Sequence, residues 1–119
     1  MKNPKNLTGK YILNEDGQPV ECPDIEEWGR WMELGIGANP RRVSYTVIQD
    51  DPGVYVSTVF LGLDHGFGRD ESDTLPILWE TMVFGGPMDG EQDRYETKNQ
   101  AIAGHLTIVD EVRKALENV

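Results

Sequence analysis

The stretch VYVSTVFLGL at 54–63 constrains this chain more than any other, because it reads as a strand with apolar residues on both faces. Alternation puts Val54, Val56, Thr58 and Phe60 on one side and Tyr55, Val59, Leu61 and Leu63 on the other. A strand apolar on both faces has to be covered on both. Two helices can cover one face. The second cover must come from an amino-terminal hairpin or from a second subunit, so a homodimer through the sheet is one expected arrangement.

The flanking segments 41–48 and 76–84 read as further strands. The turn Asp50, Asp51, Pro52, Gly53 follows the first, and Gly85, Gly86, Pro87 close the last. Short connections favour an antiparallel meander of three strands. Upstream, 10–13 and 18–21 flank a turn ending in Asp16-Gly17, a hairpin signal. So small a hairpin must lean on the rest of the fold. Residues 1–9 read as a loose tail.

Two helices are legible from their caps. Asp24 with Glu27 forms one capping box, followed by Ile25, Trp28, Trp31 and Met32 at helical spacing, with Gly35 and Gly37 expected to stop the helix near 34. Thr97 with Gln100 forms the other, followed by a stripe of Ile102, His105, Val109, Val112 and Leu116. Arg113 and Lys114 complement the end of that helix dipole. The expectation is one α+β domain over 1–119: hairpin plus meander in an antiparallel sheet, packed against a short helix and a long carboxy-terminal helix.

Charge narrows the function classes. Asp and Glu number 21 against 11 Lys and Arg, a formal net charge of −10. Such a field repels phosphate backbones and anionic membranes, so neither direct nucleic-acid binding nor membrane binding is expected. It suits a partner with a basic surface, or serves solubility alone. With Cys22 the single cysteine, an internal disulfide is impossible, which points to a reducing compartment. No apolar run reaches the length of a membrane span, and the opening MKNPKNLTGK lacks the apolar core of a signal peptide. The expected address is the cytoplasm.

Several motifs then act together. They are VSTVFLGLDHGFG at 56–68, ETMVFGG at 80–86, Asp89-Gly90, Asp93-Arg94-Tyr95, Thr97 and Ala103-Gly104-His105. Asp16-Gly17, Pro19-Val20 and the Trp28/Trp31 pair fit the same set. Together they resemble a family of small proteins that recur in tailed-phage and prophage genomes, over residues 11 to 113. The resemblance implies a phage or phage-derived origin, and with it the host cytoplasm. It implies no catalytic activity.

Candidate chemistry gathers at Asp64, His65, Glu80 and His105. Two histidines and two carboxylates can bind zinc or manganese or do acid–base work, and a metal-dependent or acid–base enzyme using His65, Glu80 and His105 is one alternative. Spacing gives little support: there is no HExxH and no cysteine–histidine cluster. Gly66-Phe67-Gly68 lacks the Gly-Lys-Ser/Thr ending of a phosphate loop. No catalytic residue, metal or cofactor is therefore assigned. Glu80, in mid-strand, needs a partner if buried, with Arg41, Arg42 or His105 available. His105 lies in an apolar stripe and reads first as a core histidine bonded to a carboxylate or backbone group. Trp28 and Trp31 read first as anchors to the sheet, and second as a stacking platform. Ser44, Thr46 and Ser57 either bond at strand edges or line a pocket.

Loops 49–53 and 85–94 should share one end of the sheet, gathering Asp50, Asp51, Asp89, Glu91 and Asp93, while Asp64, Asp70, Glu71 and Asp73 lie at the other. Such clusters can imitate nucleic-acid phosphates and occupy a basic cleft on a host enzyme. Turn geometry alone also attracts aspartate. The favoured reading is a non-enzymatic phage accessory protein that binds a host protein with a basic surface, as an acidic decoy in host takeover or counter-defence. The alternative is a small-molecule binder using Arg42, the aromatic platforms and the glycine-rich loop for a nucleotide-like ligand.

Overall fold

Asn14 organises the first turn, its Oδ1 accepting from the N–H groups of Asp16 and Gln18 at 2.9 and 3.0 Å, while Gly17 takes the left-handed conformation at φ 78°. In the computed structural model, which describes residues 8–38, 41–66 and 75–118 (34–38 by their backbone), this turn joins β1 (Tyr11–Leu13) to β2 (Pro19–Glu21). Asp24 then accepts from the N–H groups of Glu26 and Glu27 and starts α1 (Ile25–Ala38). The helix runs through Gly35 and Gly37 instead of stopping there. Each glycine costs about 1 kcal/mol against alanine inside a helix, which weakens it without ending it. The stronger stop signal in the sequence is Pro40, and α1 ends short of it.

Among the described residues the main sheet has four strands, not three. They run in the order β3 (Arg42–Asp50), β4 (Gly53–Phe60), β5 (Trp79–Phe84), β6 (Gln92–Tyr95), all antiparallel. β6 falls where a loop was expected. Its Gln-Asp-Arg-Tyr sequence has no apolar alternation, since it is a charged edge strand that buries only Tyr95. The hairpin also forms its own two-stranded sheet, and β4 ends at Phe60, before Gly62 turns the chain at φ 78°.

Thr97 and Gln100 make the expected capping box at the start of α2 (Lys98–Glu117). This helix crosses one face of the main sheet and packs on all four strands. Its buried residues are Ala101, His105, Ile108, Val109 and Val112. Ile102, expected inside, is exposed, and Ala101 and Ile108 take its place. The cover of the inner face divides into two apolar clusters. Val54, Val56 and Val83 meet Ile108, Val109 and Val112 near the β3–β4 turn. Phe60, Leu78, Trp79, Tyr95 and Ala101 form the second, with Tyr11, Leu13 and Trp31 packed against it.

The hairpin and α1 thus pack on the cluster that α2 already covers, not on the opposite face. Of the two covers expected for the second face, the hairpin is excluded. Residues 1–7 of the expected loose tail lie outside the described residues. Gly9 is tied in, its carbonyl accepting from the Asp64 N–H at 2.8 Å. No helix among the described residues is long and apolar enough to cross a membrane.

Candidate functional site

The sheet separates the proposed catalytic residues. Glu80 lies on the outer face, its Oε2 bonded to Arg94 Nε at 3.0 Å, so its partner is neither Arg41, Arg42 nor His105. His105 lies on the inner face, 2% exposed. His65 is exposed beyond the far end of β4, its backbone bonded to Ile77. Asp64 organises that loop, its Oδ1 accepting from the N–H groups of Gly66 and Ile77 at 2.8 Å each. Among the described residues no three His, Cys, Asp or Glu side chains gather as metal ligands. Phe67, Gly68, Asp70, Glu71 and Asp73 lie outside the described residues. Cys22 is buried, and burial, then the charges of Glu27 and Asp24, push its thiol pKa up and away from thiolate chemistry.

His105 bonds neither a carboxylate nor a backbone group; its partners are threonines. Its Nε2 lies 2.8 Å from Thr46 Oγ1 and its Nδ1 2.7 Å from Thr58 Oγ1. Thr58 continues to Thr81 at 2.5 Å, and Tyr95 donates its hydroxyl to Thr81 at 3.1 Å. One donor order leaves no fully buried hydroxyl hydrogen without an acceptor: Tyr95 to Thr81, Thr81 to Thr58, Thr58 to Nδ1. On that assignment the ring proton sits on Nε2 and is donated to Thr46. A second ring proton, on Nδ1, would turn Thr58 to donate to Thr81 and leave the Thr81 hydrogen without an acceptor in the chain. Burial in addition pulls the imidazole pKa below its ordinary value. This polar belt separates the two apolar clusters. In the sequence Thr46 is one of several polar strand residues, and nothing local marks Thr58, Thr81 and Tyr95 as members of one chain with His105. Tyr95 could only be found by recognising β6.

Both tryptophans anchor α1. Trp28 donates from Nε1 to the Gly62 carbonyl at 3.0 Å, and Lys10 Nζ lies 5.9 Å from its ring centroid. Trp31 meets Phe60 edge to face, with centroids 5.8 Å apart.

The outer face is built from cross-strand pairs, and no described element covers it. One row across the four strands holds Arg42, Val59, Glu80 and Arg94. The next holds Tyr45, Ser57, Met82 and Gln92, and the third Val47, Tyr55 and Phe84. Tyr45 and Val47 are 43% and 49% exposed, high for side chains in mid-sheet. Tyr55 stacks on Phe84 with centroids 4.8 Å apart and meets Tyr45 at 5.3 Å, while the Arg42 guanidinium lies 4.4 Å from the Tyr45 ring centroid. Sequence alternation showed Tyr55 and Val59, but only strand pairing brings Tyr45, Phe84 and Met82 beside them.

Beyond the third row come the turns. Asp50 ends β3, Asp51 begins the turn that follows, and Asp89 and Glu91 belong to the neighbouring turn, all exposed. The two turns touch, since a Cβ on Gly85 would strike the Gly53 carbonyl oxygen. Asp89 is partly a turn residue, its Oδ1 accepting from the Gly85 N–H at 2.7 Å. Asp93 sits within β6 on the sheet edge, exposed, its Oδ1 accepting from the Arg94 N–H. A separate groove of about 510 Å³ opens between the hairpin turn and the start of α2, lined by Asp16, Trp79 and Lys98 among others. Comparison of the chain with protein-family models, curated proteins and solved structures returned no match.

Proposed function

We propose that this chain is a non-enzymatic accessory protein of phage or prophage origin that works by binding a host protein in the host cytoplasm. The open outer face carries this reading. Tyr45, Val47, Tyr55, Met82 and Phe84 form an apolar, aromatic patch of the kind that marks an interaction surface. The acidic turns at Asp50, Asp51, Asp89 and Glu91 border it and favour a partner with a basic surface, consistent with a net charge of −10. A decoy for nucleic-acid phosphates is the form of this function that charge and resemblance support together. Two copies of the chain would pair through the same face.

The test is capture from a host lysate with the tagged chain. Wild type is expected to retain a specific protein that elutes at high salt. Reversing Asp50, Asp51, Glu91 and Asp93 to lysine is expected to abolish capture; Asp89 is spared because it holds a turn. Capture that survives the reversal would reject the acidic-decoy reading.

A small-molecule reading rests on the groove beside Trp79 and Lys98. A nucleoside phosphate at a hundredfold excess over its dissociation constant would stabilise the fold by about 2.7 kcal/mol. An unchanged melting temperature with nucleoside mono-, di- and triphosphates would remove that class of ligand.

A further inference from the structure

We infer that a second copy of this chain closes the outer face when no host protein does, sheet on sheet, about a two-fold axis lying between the sheets and running across the strands. This rests on the outer face being the binding surface, and goes further by naming an occupant and its register. The hairpin and both helices lie on the inner side, so a face that is apolar and aromatic stays open among the described residues. A second subunit is what remains of the two covers that a doubly apolar β4 demands.

Charge selects the symmetry. Along the strands the outer face runs from a charged row with two arginines, through two rows that are largely apolar and aromatic, to the acidic turns. Face-to-face packing requires a two-fold axis in the interface plane. An axis along the strands reverses the strand order and keeps the rows in place. It would set Arg42 on β3 opposite Arg94 on β6 of the other copy, and acidic turns against acidic turns. An axis across the strands, between the second and third rows, keeps each strand over its own counterpart and reverses the rows. Arg42 then faces Asp50 and Asp51 of the second copy, and Arg94 faces its Asp89 and Glu91. Tyr45 meets Val47, Ser57 meets Tyr55, and Met82 meets Phe84. Arg94 can serve both Glu80 and the second copy, since a guanidinium has five donors and Glu80 is bonded to Nε.

Strand spacing and rise give a patch of roughly 20 Å by 20 Å. That is small beside the roughly 800 Å² per partner of a stable interface. Each copy also carries a net charge of −10. The dimer is therefore weak and reversible.

Sedimentation equilibrium of the full chain from about 10 micromolar to about 1 millimolar, the weak end of the affinity scale, is expected to show a monomer–dimer equilibrium. Tyr55→Glu should shift the dissociation constant at least tenfold, with circular dichroism reporting an intact fold. The decisive experiment uses two charge variants. Arg42→Glu with Arg94→Glu sets acid against acid, and Asp50→Lys, Asp51→Lys with Glu91→Lys sets base against base. Each alone should be monomeric, and an equimolar mixture should dimerise. A wild type that stays monomeric at the highest concentration overturns the proposal, as does a mixture that fails to associate. Host-protein capture by a strictly monomeric wild type would reject this dimer and leave the binding function standing. Dimerisation with the expected charge rescue but without capture would do the reverse.

Discussion

His105 shows how one buried side chain joins packing to pH. Its ring is a neutral link in a hydroxyl chain from Tyr95 to Thr46, and burial holds its pKa below the ordinary 6.5. The unfolded chain takes up a proton near that ordinary value, whereas the folded chain does so only at lower pH. Stability is thus fully present above about pH 6.5 and falls as pH drops from there toward the folded pKa, by at most about 1.4 kcal/mol per pH unit. Urea denaturation between pH 7.5 and pH 5 should show this slope in wild type and a shallower one in His105→Gln. Equal slopes would place His105 outside the titration. Removing the ring with His105→Ala should cost about 2–4 kcal/mol at pH 7.5, through a cavity and two hydroxyls left short of a partner. Gly104 acts through the same chain, because a Cβ there would strike the Tyr95 ring and hydroxyl. Gly104→Ala should therefore destabilise by about 1–3 kcal/mol despite alanine's better helix propensity. A stabilised variant would show that Tyr95 yields easily.

At the level of elements, local and tertiary signals divide cleanly. The α2 cap was legible because Thr97 and Gln100 satisfy backbone donors within a few residues, with Gln100 N–H bonded to Thr97 Oγ1 at 3.1 Å and Gln100 Oε1 accepting from the Thr97 N–H at 3.2 Å. Thr97→Ala should cost about 1 kcal/mol in thermal or urea unfolding. No change would mean that packing on the sheet alone holds the first turn. β6 was illegible because its order comes from pairing with β5 and from the hook of Tyr95 on Thr81. The end of α1 is hard to read locally for a related reason: glycine raises the cost of a helix but forbids nothing, and α1 continues to Ala38. Glu80 looked like a buried charge in search of a partner. Its pairing with Arg94 depends on β6 lying beside β5, which local pattern does not show.

For the whole molecule, α2 is the element that binds the structure together. It touches all four strands and spans both apolar clusters and the polar belt between them. The β1–β2 hairpin and α1 sit at one end, on the Phe60 and Trp79 cluster only. Native-state hydrogen exchange should accordingly find the slowest amides in β4, β5 and the middle of α2, with β1, β2 and α1 opening at lower free energy. Equal protection throughout would mean a single cooperative unit. The exposed aromatic face belongs to this scale as well, since it exists only once three strands align Tyr45, Tyr55 and Phe84.

By itself the sequence determined the α+β class, both helix starts, the hairpin and the doubly apolar character of β4. Each depends on interactions a few residues apart or on simple periodicity. Tertiary structure alone decided which elements are neighbours, and so which side chains meet: Glu80 with Arg94, and His105 with Thr46 and Thr58. Those groupings join residues 14 to 59 positions apart. The free energy that selects among them comes from burying β4 under α2 as a unit, a collective property that local pattern does not carry.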